Sequence, residues 1–210
     1  MRIIDLNADR STIIENLKTN CGNETRHVLA YFYFEFNDAN KQSPQKCLSS
    51  LISQLCIGSE EIPAQLEMLY EKCGNGRYPP PVRDLISVIN AFATLEKIDD
   101  IYIVLDALDE CPKTGPEDQR AELLGALAVI QHIPHSNIHL LVTSRQEIDI
   151  ERSILPHLTV PSLSIQDAGV TADIRKYIKS QLISDPKLNS WSEDVKYNIE
   201  HALTEGASGM

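Results

Sequence analysis

The chain has little that would mark a nucleic-acid-binding, membrane or secreted protein. It carries no basic block: 19 Lys+Arg stand against 30 Asp+Glu, for a formal net charge of −11. A phosphate-backbone partner is therefore disfavoured electrostatically. No apolar stretch approaches the ~20 residues that span a bilayer; runs such as Val28–Phe34 are far shorter. The start, Met1-Arg2-Ile3-Ile4-Asp5, turns acidic too soon to read as a signal peptide. The five cysteines, at 21, 47, 56, 73 and 111, are odd in number and form no Cys-x-x-Cys pair. Neither a disulfide framework nor a thiolate metal site is expected, and a reducing, cytoplasmic compartment fits best. Glycine and proline, at 9 and 11 residues, are too few for a collagen-like or low-complexity chain, and no internal repeat is visible. His132, His135 and His139 would lie near one face of a helix, as a metal site could use. However, Pro134 and Ser136-Asn137 predict a loop there, and the three read as surface histidines.

What is present is an alternation of strand and helix signals over 210 residues. A chain of that length hides roughly 70% of its unfolded surface, enough for one good core. The pattern predicts an α/β fold of three layers, a parallel sheet with helices on both faces. Helices are expected at 11–18, from Pro44, from about Pro63, and over 82–95, 119–130, 170–183 and 192–204. Ser43-Pro44 reads as an N-cap followed by proline at the first helical position, and Gly206 as a C-terminal stop. Strands are expected at 28–35, 101–106 and 138–143, with a short one near 158–160. The segment HVLAYFYFEF, from His27, is apolar and aromatic on both faces. It predicts near-complete burial of Tyr31 to Phe34 between two helical layers, as the run Ile103 to Leu105 does for its own strand.

Chemistry concentrates in Ile101 to Pro112, IYIVLDALDECP. A run of β-formers delivers Asp106 to the carboxyl end of a parallel strand, the edge where open α/β sheets bind ligands. Asp109 and Glu110 follow, so three carboxylates share one turn. Clustered carboxylates favour a compensating cation, and Mg²⁺ with a phosphate ligand suits them. The plainer reading is a solvated acidic turn that caps the next helix.

This segment resembles the Walker B region of NACHT-type NTPases of the STAND class, and most of all the nephrocystin-3-like N-terminal domain common in filamentous fungi. Ser11 to Leu17 is similar to the helix after the phosphate loop, and Leu29 to Asp38 to the second strand with its polar loop. Leu140 to Glu147, LLVTSRQE, is similar to the fourth strand with its sensor arginine. The resemblance spans roughly residues 11–210. It implies a P-loop NTPase fold in which Asp106 holds Mg²⁺ through water and Asp109 and Glu110 polarise the attacking water. Arg145 would sense the γ-phosphate of ATP or GTP; its plainer reading is a surface or helix-capping arginine.

One family feature is missing. No Gly-x-x-x-x-Gly-Lys-[Ser/Thr] run, whose amides and lysine cradle phosphates, occurs in the sequence. Where it should end stands Asp5-Leu6-Asn7-Ala8-Asp9-Arg10, without glycine and with two carboxylates. The strand before it is missing or reduced to Arg2–Leu6. Residues 1–163 are thus expected to form a truncated NACHT-like core, with 164–210 the start of a helical annex cut at its end. The expected function is that of an idle signalling NTPase domain acting through protein contacts or self-association, with no nucleic acid or membrane partner. The alternative is a Mg-dependent ATP- or GTP-binding NTPase whose phosphate loop is supplied otherwise or lost from the gene model. A metal-dependent hydrolase built on Asp106, Asp109 and Glu110 would need further ligands, and no second cluster is evident.

Overall fold

The computed structural model describes residues 2–3, 10–23, 26–113, 118–132, 137–154 and 168–207. They fall into two compact units, Met1–Leu163 and Ser164–Met210.

The first unit is a parallel α/β sheet. Its strands are β1 (Arg2–Ile3), β2 (His27–Tyr33), β3 (Asp100–Asp106) and β4 (Ile138–Val142), in the order β1-β4-β3-β2. Every pairing is parallel, with Val28 opposite Ile101, Ile103 opposite Leu140 and Ile3 opposite Val142. The first strand, expected to be missing or reduced to Arg2–Leu6, is seen at Arg2–Ile3 on the far side of β4; residues 4–9 lie outside the described residues. Parallel neighbours need crossover connections, and helices supply them: α1 (Arg10–Asn23) from β1 to β2, α2 (Pro44–Gly58), α3 (Ala64–Lys72) and α4 (Val82–Phe92) from β2 to β3, and α5 (Gln119–Gln131) from β3 to β4; α6 (Ile148–Ile154) follows β4.

One face of the sheet forms the main core. Val28, Ala30 and Phe32, with Phe34 just beyond the strand, point there with Ile101, Ile103, Leu105, Leu140 and Val142. Against them pack Leu48, Leu51 and Leu55 of α2, Leu85, Ile89 and Phe92 of α4, and Leu123 and Leu127 of α5. The spacing of these helical residues at three and four gives each helix one apolar side. Helix α2 comes especially close to β2: a Cβ on Gly58 would lie 2.7 Å from Val28 Cγ1, so only glycine fits there. The opposite face carries α1, with Ile14 buried and the Lys18 ammonium 5.2 Å from the centre of the Tyr31 ring.

Several expectations change. β3 is buried throughout Ile103 to Leu105, but β2 alternates: Phe32 and Phe34 are buried, Tyr31 is half-buried and Tyr33 is 36% exposed. The even-numbered side chains face the helices of the main core, and the odd-numbered ones face the other, less covered side of the sheet. Ser43 does hold the N-cap position of α2, yet its hydroxyl donates to Gln45 Oε1 at 2.9 Å instead of capping a backbone amide. Helix α6 was not expected from the sequence. The strand anticipated at 158–160 lies outside the described residues.

The second unit holds α7 (Ala168–Ser184), α8 (Pro186–Asn189) and α9 (Glu193–Ala207). Asp185 caps α8, accepting from the Lys187 and Leu188 amides at 2.7 and 3.3 Å. Arg175 and Lys179 of α7 meet Glu200 of α9 at 3.4 and 3.3 Å. Helix α9 runs through Gly206 rather than stopping at it.

Candidate functional site

Asp106 ends β3, and the residues Thr143 to Arg145 leave the neighbouring β4. Because the strands are parallel and in register, Asp106 and Arg145 emerge at the same, carboxyl, edge. Asp106 is 3% exposed. A buried carboxylate needs hydrogen bonds, and Thr143 supplies one, its hydroxyl donating to Asp106 Oδ1 at 2.5 Å. The same hydroxyl accepts the Ala107 amide at 3.0 Å. Two backbone bonds complete the join, Thr143 N–H to Leu105 O at 2.9 Å and Leu108 N–H to Thr143 O at 3.0 Å.

The chain then turns sharply. Ala107 has φ 56° and ψ 48°, a left-handed conformation that costs a residue with a Cβ about 1–3 kcal/mol. It throws residues 108–110 into a single turn of 3₁₀ helix. The three carboxylates consequently part company. Asp109 faces β4's exit, where Oδ1 accepts the Arg145 amide at 3.0 Å and Oδ2 lies 3.4 Å from Arg145 Nε. Glu110 faces the other way, its Oε2 accepting the Phe36 amide at 2.8 Å. The Phe36 carbonyl in turn accepts from Gln42 Nε2. Asp106, expected to hold a metal ion through water, and Asp109 and Glu110, expected to polarise the attacking water, thus each bond a different partner in the fold. Among the described residues, no three His, Cys, Asp or Glu side chains are placed to hold a metal ion. Arg145 itself is an exposed arm, its side chain 73% accessible.

Tyr33 lies opposite Asp106 in the β2–β3 register. Burial, then the neighbouring Tyr31 and Asp106, push its phenol above the ordinary value.

Two groups that fix this turn were missed from sequence. Arg120, on α5, is 5% exposed. Its Nε donates to Cys111 O at 2.8 Å, one terminal nitrogen donates to Asp109 O, and the other lies 3.4 Å from Asp149 Oδ2. Lys113 meets Glu147 at 2.7 Å and Asp149 at 2.9 Å. The turn after β3 and the segment after β4 are thus laced together by charge. Partial burial pushes the Asp149 carboxyl up, but the Lys113 hydrogen bond, a backbone bond and the Arg120 charge outweigh it, holding the carboxyl below its ordinary value. Nothing in local periodicity announces such long-range pairs; only the charge pattern K113…R120…E147-x-D149 hints at them. Cys111, sealed beneath the turn, has its thiol pushed up to about 12 by burial.

The histidines do not converge. His132 contacts Ala128 O at 2.7 Å at the end of α5, and His139 meets Asp100 Oδ1 at 2.6 Å on the sheet; His135 lies outside the described residues. An open cleft of about 390 Å³ sits at the amino edge, opposite the carboxylates, lined in part by Arg26, Val28, Gly58, Glu60 and Lys97. Arg26 pairs with Asp99 at 2.7 Å and Lys97 with Glu60 at 3.5 Å.

Sheet and site together define a parallel α/β domain with an acidic turn at the carboxyl edge and an arginine on the adjoining strand exit. The chain belongs to the nephrocystin 3 N-terminal family, whose model matches residues 10–145. No curated protein matches the chain. Among solved structures, it is similar to a chain in the structure of Drosophila ORC bound to AT-rich DNA and Cdc6, at 14% identity and a TM-score of 0.28. That similarity covers 91% of this chain and 81% of the other.

Proposed function

We propose that this chain is a degenerate NTPase-like domain of the NACHT/STAND type that turns over no nucleotide and works through contacts with proteins, other copies of itself included. The observation that carries this is the fate of the three carboxylates. Asp106 is taken up by Thr143, Asp109 by Arg145, and Glu110 by the Phe36 amide. Each bonds a partner that belongs to the fold.

Magnesium and a nucleoside triphosphate fit these residues only in part. Mg²⁺ is commonly held by one or two carboxylates plus the phosphates of its substrate, a role open to Asp106. The lysine and glycine amides that neutralise the phosphates are not in the sequence. Their loss leaves Arg145 as the cation of the motif set, already facing Asp109. Phosphoryl transfer depends on positioned charge rather than covalent help, and removing even one preorganised donor typically costs ~10²–10³ in rate.

The test is a fluorescent ATP titration with Mg²⁺ on the chain and on an Asp106→Ala variant. No saturable binding is expected in the micromolar range. Micromolar binding that the substitution abolishes would favour the alternative, a Mg-dependent ATP- or GTP-binding NTPase.

A further inference from the structure

β2 is an edge strand among the described residues, and its sequence invites pairing. Val28 to Phe34 reads VLAYFYF, seven residues without charge, proline or glycine. Apolar, strand-prone segments of this kind add further strands when their backbone edge is open.

The phase of the strand identifies that edge. Phe34 N–H donates to Asp106 O at 3.0 Å. In a parallel ladder alternate residues serve one neighbour, so the even-numbered residues of β2 face β3 and the odd-numbered ones face outward. At the centre of the outward row stands Tyr31. Its N–H donates to Gln54 Oε1 at 3.1 Å, and its carbonyl accepts from Gln54 Nε2 at 2.8 Å. A single side-chain amide thus makes the two bonds that an incoming strand would make. Gln54 projects from α2, where its Nε2 also lies 3.3 Å from both Ser50 O and Ser50 Oγ. Beyond the strand, Glu35 N–H is taken by Lys41 O at 3.4 Å, and the Lys41 ammonium meets the Glu35 carboxylate at 2.5 Å.

We propose that Gln54 seals the edge of β2, and that without it a second copy of this chain pairs its own β2 there. The occupant is a second copy because the unsealed surface would be a row of backbone groups flanked by the uncharged side chains of one sequence. The matching strand of another copy is its natural complement.

Sedimentation velocity on the folded chain tests it, with far-UV circular dichroism at each concentration to establish that the variants are folded. Gln54→Leu removes both bonds and should shift the chain to about double the wild-type mass or beyond, with association rising with concentration. Gln54→Glu keeps an acceptor for the Tyr31 amide and places a charge on the edge; it should sediment as wild type. Adding Tyr33→Lys to Gln54→Leu puts a charge beside the open edge and should reverse the association. Hydrogen exchange gives a reading that needs no variant: the wild-type Tyr31 amide should exchange more slowly than the outward-facing Leu29 amide. Association in Gln54→Glu equal to that in Gln54→Leu, no association in folded Gln54→Leu, or a Tyr31 amide no slower than that of Leu29 would each overturn the proposal.

Discussion

Thr143 sits between Asp106 and Ala107 and serves both, donating to the Asp106 carboxylate at 2.5 Å while accepting the Ala107 amide at 3.0 Å. One hydroxyl therefore satisfies a buried charge and holds the left-handed residue that starts the acidic turn. Thr143→Val keeps the shape and removes both bonds. It should cost about 1–3 kcal/mol, the range for leaving buried polar groups unsatisfied, whereas Thr143→Ser should stay near wild type. Urea denaturation midpoints of the three proteins check this.

Arg120 fixes the same turn from below. Arg120→Met leaves the Asp109 and Cys111 carbonyls and the Asp149 carboxylate without the guanidinium that bonds them. The loss should reach at least about 2 kcal/mol. The amides of residues 108–111 should exchange faster in the variant, while those of α2 should not, which separates local loosening from a general loss of stability.

Asp149 gives the fold an acid-sensitive element. Its carboxyl lies below the ordinary value in the folded chain, so the folded state favours the ionised form. The resulting stability is fully present above the unfolded value near ~4. It fades as pH falls through the lower folded value. The difference in melting temperature between wild type and Asp149→Asn should be constant from neutral pH down to about 5 and shrink below about 4.

The cysteines should divide by burial. Cys47, Cys73 and Cys111 are buried, while Cys21 and Cys56 are half-buried. Burial raises the Cys47 thiol well above its ordinary value and takes Cys111 to about 12. The thiolate is the reactive form, so Ellman's reagent on the native chain should modify Cys21 and Cys56 alone. All five should react in denaturant.

The core makes a simpler demand. Leu105 is fully buried beneath the site, and Leu105→Ala should lower the unfolding free energy by ~2–5 kcal/mol through lost transfer energy and the cavity left behind. A loss below ~1 kcal/mol, measured by denaturant titration, would contradict its place in the core.

How far the sequence revealed all this depended on range. Ile101 to Leu105 and Ile138 to Val142 are short apolar runs of the kind that parallel strands need when both faces are covered, so β3 and β4 were legible, and with them the common edge of Asp106 and Arg145. β2 carries the same signal, but its alternating burial follows from fuller helical cover on one face of the sheet than on the other, which no local pattern encodes. Helix α6 has too few residues to display a period. The separation of Asp106, Asp109 and Glu110 arises from the left-handed Ala107, and alanine gives no hint of that conformation as glycine would. Thr143, Arg120 and Asp149 act across 29 to 37 positions of chain, and such pairings appear only when the strands are placed side by side.

Phosphate release under saturating Mg-ATP tests the central claim most directly. The wild-type chain should release none above a protein-free blank, and Glu110→Gln should give the same flat trace, because on this reading Glu110 serves as the anchor of the Phe36 amide. Steady release by the wild-type chain that disappears in Glu110→Gln would show that the carboxylates work as a catalytic set, and the reading of an idle domain would be wrong.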